Sequence, residues 1–188
     1  NDKVKLRYLQ ATLGCTMEQL FANKPKAMDL FEQKVGGHIL IPKVNSYHKR
    51  DVEKLCEQYK PGLLIFDQID KITGFDSDRD DLKLGAIYQW ARELSKEYCP
   101  IIGVCQADGS GEGVKWLTMG NVANAKTSKQ AEADWILGLG KVPDSGYEKL
   151  RFLHLSKNKL LGDPDTVGDR HGKWECLIEP EKARYKDL

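Results

Sequence analysis

Two polar residues stand where a β-sheet would turn them toward a ligand. In PGLLIFDQID the apolar run Leu63–Phe66 leads directly into Asp67, with Asp70 following in the same segment. A short unbroken apolar run reads as a strand buried on both faces, as in a parallel sheet. Open α/β sheets place their ligands beyond the carboxyl ends of such strands. A carboxylate there can help hold Mg²⁺, largely through water, against the phosphates of a nucleotide. PIIGVCQ (Pro100–Gln106) repeats the pattern and ends on an amide, Gln106. An amide beside an acid suits sensing of a terminal phosphate or of its attacking water. Buried strands often end in Asp at an ordinary turn, so the pair carries the signal and neither residue does alone.

A second cluster lies in RFLHLSKNKLLGD (Arg151–Asp163). Lys149 and Arg151 open this strand-like stretch, and Lys157 and Lys159 close it. Two residues apart on a strand, Lys157 and Lys159 point to the same side. Between Lys149 and Gly162 there are four basic residues and no acidic one, which fits phosphate-facing cations. It fits equally a solvated strand end whose lysines suppress edge pairing.

No G-x-x-x-x-G-K-[ST] phosphate loop occurs in the sequence. GLGKV (Gly138–Val142) lacks the first glycine and the final hydroxyl. GDRHGKW (Gly168–Trp174) has too few residues between its glycines, and Trp174 follows the lysine. The phosphate-binding strand and loop are therefore expected upstream of Asn1.

The elements that position these groups follow from periodicity. Residues 3–22 carry Leu6, Leu9, Leu13, Met17, Leu20 and Phe21 at helical spacing, with Gly14 as a weak point, and 25–35 reads as a second helix. GGHILIPK (Gly36–Lys43) reads as a short buried strand, and helix Asp51–Tyr59 leads into the Asp67 strand. Ile87, Trp90, Ala91, Leu94 and Tyr98 define an amphipathic helix of about four to five turns between the Asp67 and Gln106 strands. Strand, helix and strand form a βαβ unit, so Asp67 and Gln106 leave the same edge of one sheet. Residues 107–128, bearing Gly109, Gly111, Gly113 and Gly120, read as a long loop, a length that is usually functional or disordered. Strands are expected at Asp134–Gly140, Lys149–Lys157 and around Trp174, Cys176 and Ile178, with a turn-rich connection at Gly162–Lys173. The fold class is α/β, a mostly parallel sheet flanked by helices with antiparallel strands added at the C-terminal side. Residues 1–180 form one core, and 181–188 a charged, mobile tail.

At 188 residues the chain suffices for one domain with a sizeable core. Its net charge of +1 excludes a global basic field, so any nucleic-acid contact must be local. The five cysteines are odd in number and lack C-x-x-C spacing, which argues against zinc and a disulfide framework and for a reducing, intracellular compartment. No apolar run approaches the roughly 18 residues of a membrane span, and no signal peptide is visible. His38, His48, His154 and His171 show no metal spacing. Trp90 and Trp135 read as core, Asp70 as a turn or capping acid, and Asp108 and Glu112 as solvated loop acids. Trp116 reads as a base-stacking platform or as packing against the domain.

The series LLIFDQID, PIIGVCQ, AEADWILGLG and LHLSKNKLLGD resembles the second half of a RecA-like motor. It is most similar to DnaB-type hexameric replicative helicases, in a bacteriophage-like version, over about residues 1–179. In that family a Walker B strand is followed by a strand ending in glutamine, a long DNA-facing loop, a strand introduced by Ala-Asp, and one ending K-x-R-x-G. The resemblance implies ATP and Mg²⁺ as cofactors, with Asp67 as the Walker B magnesium ligand and Gln106 as the sensor. It implies that Lys157 and Lys159 reach the nucleotide of a neighbouring protomer, and that Lys115, Asn124, Lys126 and Lys129 contact the backbone of single-stranded DNA. It places the catalytic glutamate just upstream of these residues. Where Lys159 stands the family usually has arginine, whose planar fork binds phosphate bidentately and can be worth roughly 10³–10⁵ in rate.

The expected activity is that of a DNA helicase, self-associated into a hexameric ring in the cytoplasm (the host's, if viral), with no membrane partner. The intact protein is expected to hydrolyse ATP and the isolated 188 residues are not. Three other readings fit parts of the pattern: a RecA-like recombinase or signalling ATPase, a non-enzymatic RecA-like assembly or loader module, and an unrelated doubly wound protein with Asp67 in a turn.

Overall fold

The computed structural model describes residues 2–36, 39–42, 48–124, 126–159 and 171–188. In chain order its elements are α1 (Asp2–Leu13), α2 (Met17–Ala22), α3 (Lys24–Val35), α4 (Lys49–Tyr59), β1 (Leu64–Asp67), α5 (Asp80–Glu97), β2 (Ile101–Val104), α6 (Lys126–Glu132), β3 (Trp135–Gly140), β4 (Leu150–Asn158), β5 (Lys173–Glu179) and β6 (Arg184–Asp187). Among the described residues β1 and β2 form a parallel pair, and β3-β4-β5-β6 form a second sheet in that order. This is the α/β architecture expected, with antiparallel strands toward the C-terminus. The residues divide into two compact units.

The first unit, Asn1–Val44 with Asp144–Arg151 and Glu175–Leu188, is built on helices. The helical run expected over 3–22 breaks at Gly14, which takes the left-handed conformation (φ 66°) and ends α1. Thr16 and Gln19 then form a reciprocal capping box that starts α2. Asn23 caps α3, and left-handed Gly36 ends it. Lys34 Nζ donates to the Thr12 carbonyl, joining α3 to α1. The strand expected at Gly36–Lys43 is not found among its described residues: 39–42 pair with nothing regular, and Ile39 and Leu40 are exposed. His38 and Lys43 lie outside the described residues.

The expected tail is ordered instead. Pro180–Lys182 forms a 3-10 turn, and β6 pairs antiparallel with β5, Cys176 opposite Asp187 and Glu179 opposite Arg184. Its charges are what hold it: Lys182 and Arg184 both donate to the Glu179 carboxylate, at 3.1 and 2.5 Å. The buried Gln10 of α1 donates to the Glu181 carbonyl at 2.7 Å.

The second unit, Asn45–Pro143 with Phe152–Trp174, holds the main core. Ile87, Ala91 and Leu94 of α5 are buried against Cys56 of α4, Phe66 of β1, and Ile69 and Ile72 of the turn that follows. Each fully buried side chain of this kind stabilises by about 1.5–3 kcal/mol. Trp90 packs on Phe66 and Phe75 and donates its indole N–H to Glu53 at 2.7 Å. Burial pushes the Cys56 thiol up, with smaller contributions from Cys99, Glu53 and Glu97.

β1 is buried on one face, not on both as its apolar run implied. Alternate side chains point to opposite faces, so Phe66 meets the core while Leu63 and Ile65 stay about half exposed, at 48% and 51%. Trp135, read as core, is likewise 39% exposed. β3 pairs antiparallel with β4, Gly140 opposite Phe152 and Trp135 opposite Asn158, with a register irregularity between Ile136 and Leu137. The last part of the expected 107–128 loop is the start of α6. The turn-rich connection Gly162–Lys173 lies outside the described residues up to 170.

Candidate functional site

The parallel ladder sets Leu64 opposite Ile101 and Asp67 opposite Val104, so Gln106 follows β2 two residues past the level of Asp67. Both side chains are exposed, and the Asp67–Gln68 peptide is cis. Among the described residues the Asp67 carboxylate makes no hydrogen bond or ion pair, which leaves both oxygens open to a hydrated, hard cation. The donor set fits Mg²⁺ held mostly through water, with Asp67 as the single protein carboxylate at this edge among the described residues.

Beneath this edge is a polar cluster that the sequence did not announce. Asp70 lies in the 3-10 turn Ile69–Lys71 after β1. Its Oδ2 receives the Lys129 ammonium at 2.6 Å and its Oδ1 the Tyr88 hydroxyl at 2.9 Å. Lys129 is 2% exposed, with its ammonium 5.2 Å from the Tyr88 ring centroid. Burial pushes the Tyr88 phenol far up, reinforced by Cys105 and Asp70, so it stays protonated and donates. A lysine expected on a DNA-facing loop is thus a buried ion-pair partner. It sits on α6, facing inward, because an unpaired ammonium could not remain out of water there. Asp70, expected to be a turn acid, is that partner.

The segment after Gln106 is closed on itself. Ala123 N–H donates to the Gln106 carbonyl at 3.0 Å, Asp108 N–H to the Asn121 carbonyl at 2.8 Å, and Ala107 bridges Val122. Asp108 accepts from the Ser110 amide and hydroxyl, and Thr118 and Asn121 form a capping box around the turn Met119–Asn121. Gln130 Nε2 on α6 donates to the Met119 carbonyl at 2.7 Å.

Within the loop Trp116 stacks edge-on against the buried Phe152 at 5.3 Å, with the Lys115 ammonium over both rings and Lys173 over Trp116. Trp116 is therefore packing against the domain here. The backbone of 114–117 presses on β3 where it carries glycines. A Cβ at Gly138 would stand 2.8 Å from the Leu117 carbonyl, and one at Gly140 would collide with the carbonyls of Val114 and Lys115. GLGKV owes its glycines to that approach. Asn124 is exposed in the left-handed region (φ 49°), and Lys126 opens α6.

Lys157 and Lys159 do share a side. Their ammonium groups donate to consecutive carbonyls near the C-terminus of α6, Lys157 to Gln130 and Lys159 to Ala131 at 3.0 Å. Arg92 adds a bond to the Glu132 carbonyl at 2.6 Å and pairs with Asp134 at 3.2 Å. These cations satisfy the carbonyls a helix end leaves open. Burial and the neighbouring Lys159 lower the Lys157 pKa. The histidines do structural work: His48 caps α4, while His154 and His171 hydrogen-bond the carbonyls of Leu117 and Leu155.

The structure thus brings Asp67 and Gln106 together, and separately gathers Lys157 and Lys159 on α6. The roles of Tyr88, Arg92 and Gln130 left no sequence signal, because each depends on which helix faces which loop.

No protein-family model and no curated protein matches the chain. Solved structures match in fold. One, an ATPase domain solved by itself, aligns with 100% of this chain and 71% of its own, with a TM-score of 0.75 at 11% identity. Another, a DnaB-like replicative helicase studied for its interactions with primase, aligns with 97% of this chain and 48% of its own, with a TM-score of 0.73 at 11% identity. The chain spans about half of that second protein. The fold is the RecA-like fold of DnaB-type ATPase domains.

Proposed function

We propose that the chain is part of an ATP-dependent DNA helicase motor of bacteriophage-like DnaB type, which moves on single-stranded DNA as a hexameric ring. The observation that carries this reading is the pairing of Asp67 and Gln106 at one edge of parallel strands, with the Gln106 carbonyl closing the base of a long loop. Asp67 would hold Mg²⁺ through water, and Gln106 would report the state of the terminal phosphate to the loop. Bound Mg²⁺–ATP supplies the transferable phosphoryl group and the cation that offsets charge on its oxygens.

Lys115, Asn124 and Lys126 would contact the DNA backbone; Lys129 is already committed to Asp70. Few cations per subunit mean weak binding by one copy, which a ring multiplies. Lys157 and Lys159 would reach the neighbour's nucleotide after leaving the α6 carbonyls they now bind. The phosphate cradle and the catalytic glutamate would come from residues outside these 188.

The test uses the full-length protein. Magnesium-dependent ATP hydrolysis stimulated by single-stranded DNA, with unwinding of a forked duplex, is expected. Filaments that exchange strands without unwinding, or no hydrolysis despite an intact phosphate loop upstream, would overturn the reading.

A further inference from the structure

The buried ammonium of Lys129 joins two segments that the backbone keeps far apart in sequence. On one side is the 3-10 turn that begins two residues after Asp67, held through Asp70. On the other is α6, whose next residue, Gln130, grips the Met119 carbonyl in the 107–124 loop. Tyr88 fixes the second oxygen of Asp70, so the carboxylate has one orientation available. At 2% exposure the lysine cannot trade this partner for water, and a buried charge without its partner is strongly unfavourable.

We infer that Lys129 is a positioning residue, tying the turn behind Asp67 to the 107–124 loop through α6, so that displacement at one is felt at the other. Coupling of this kind needs a contiguous physical connection, and here it is one ion pair followed by one side chain-to-carbonyl bond. The significance for a motor rests on the function proposed above; the tie itself does not.

Amide hydrogen exchange on the full-length protein tests it, in wild type, Lys129→Met and Tyr88→Phe. Methionine removes the buried charge and leaves Asp70 its tyrosine bond and partial access to water. Expected is an acceleration of at least about tenfold for Lys129→Met in both segments, 68–72 and 107–122. For Tyr88→Phe, which removes one hydrogen bond, about threefold is expected in the same two segments. Acceleration confined to 126–132, or present in one segment and absent from the other, overturns the proposal. Should Lys129→Met fail to fold, Tyr88→Phe decides by the same criterion. A wild-type protein without DNA-stimulated ATP hydrolysis would refute the motor while leaving the exchange result to be read. Normal hydrolysis with uncoupled exchange would refute the tie alone.

Discussion

Asp67 lies directly across the parallel ladder from Val104, and Gln106 leaves the sheet two residues later on the neighbouring strand. An acid and an amide at adjacent strand ends can act on one ligand without any rearrangement of the core. In the full-length protein Asp67→Asn should lower magnesium-dependent ATP hydrolysis by roughly a hundredfold or more, since loss of metal-borne charge stabilisation amounts to several kcal/mol. Phosphate release in steady state measures it. A rate within a few fold of wild type would remove Asp67 from the metal site.

The 188 residues by themselves contain no phosphate loop. They should show no magnesium-dependent turnover above background, with or without single-stranded DNA. Turnover that survives purification and disappears with Asp67→Asn would mean that these residues hold the phosphates themselves.

Gly140→Ala should strain the seat of the 114–117 segment, because the added carbon meets the Val114 and Lys115 carbonyls. A cost of about 1–3 kcal/mol is expected, as for overpacking elsewhere. Thermal unfolding reports the loss, and faster exchange at 114–117 locates it.

The β5–β6 pair should respond to acid. The Glu179 carboxyl is held below its ordinary 4.5 by hydrogen bonds from Arg184 first and then Lys182. A depressed folded value means that the unfolded chain binds more protons in the titration window, so stability rises with pH there. The contribution is complete above the unfolded value and is lost as pH falls through the folded one. Glu179→Gln should flatten the dependence of exchange at 184–187 between about pH 5 and pH 3. The wild-type response should shrink in high salt, because the groups are partly exposed.

Short-range patterns carried much of the fold into the sequence. The period of Ile87, Ala91 and Leu94 located α5, and the apolar runs ending in Asp67 and Gln106 located β1 and β2, because burial of one helix face or one strand leaves a repeat. What escaped was decided at a distance. β6 reads as a charged tail until Glu179 supplies the partner for Lys182 and Arg184. Lys129 reads as a surface cation because nothing local shows that Asp70 waits across the fold. α6 was hidden in a run of ordinary polar residues whose helix end is completed by side chains from β4 and α5. The half-exposed Ile65 shows the converse, since an apolar run reports hydrophobicity but not how many faces are covered.

The crowded seat under Gly138 and Gly140 also bears on how mutants of this chain are to be interpreted. A substitution in GLGKV that abolished nucleotide binding would invite the conclusion that its glycines touch phosphate. The same phenotype would arise from a dislodged neighbour, since the space above both residues is already filled by the chain's own carbonyls.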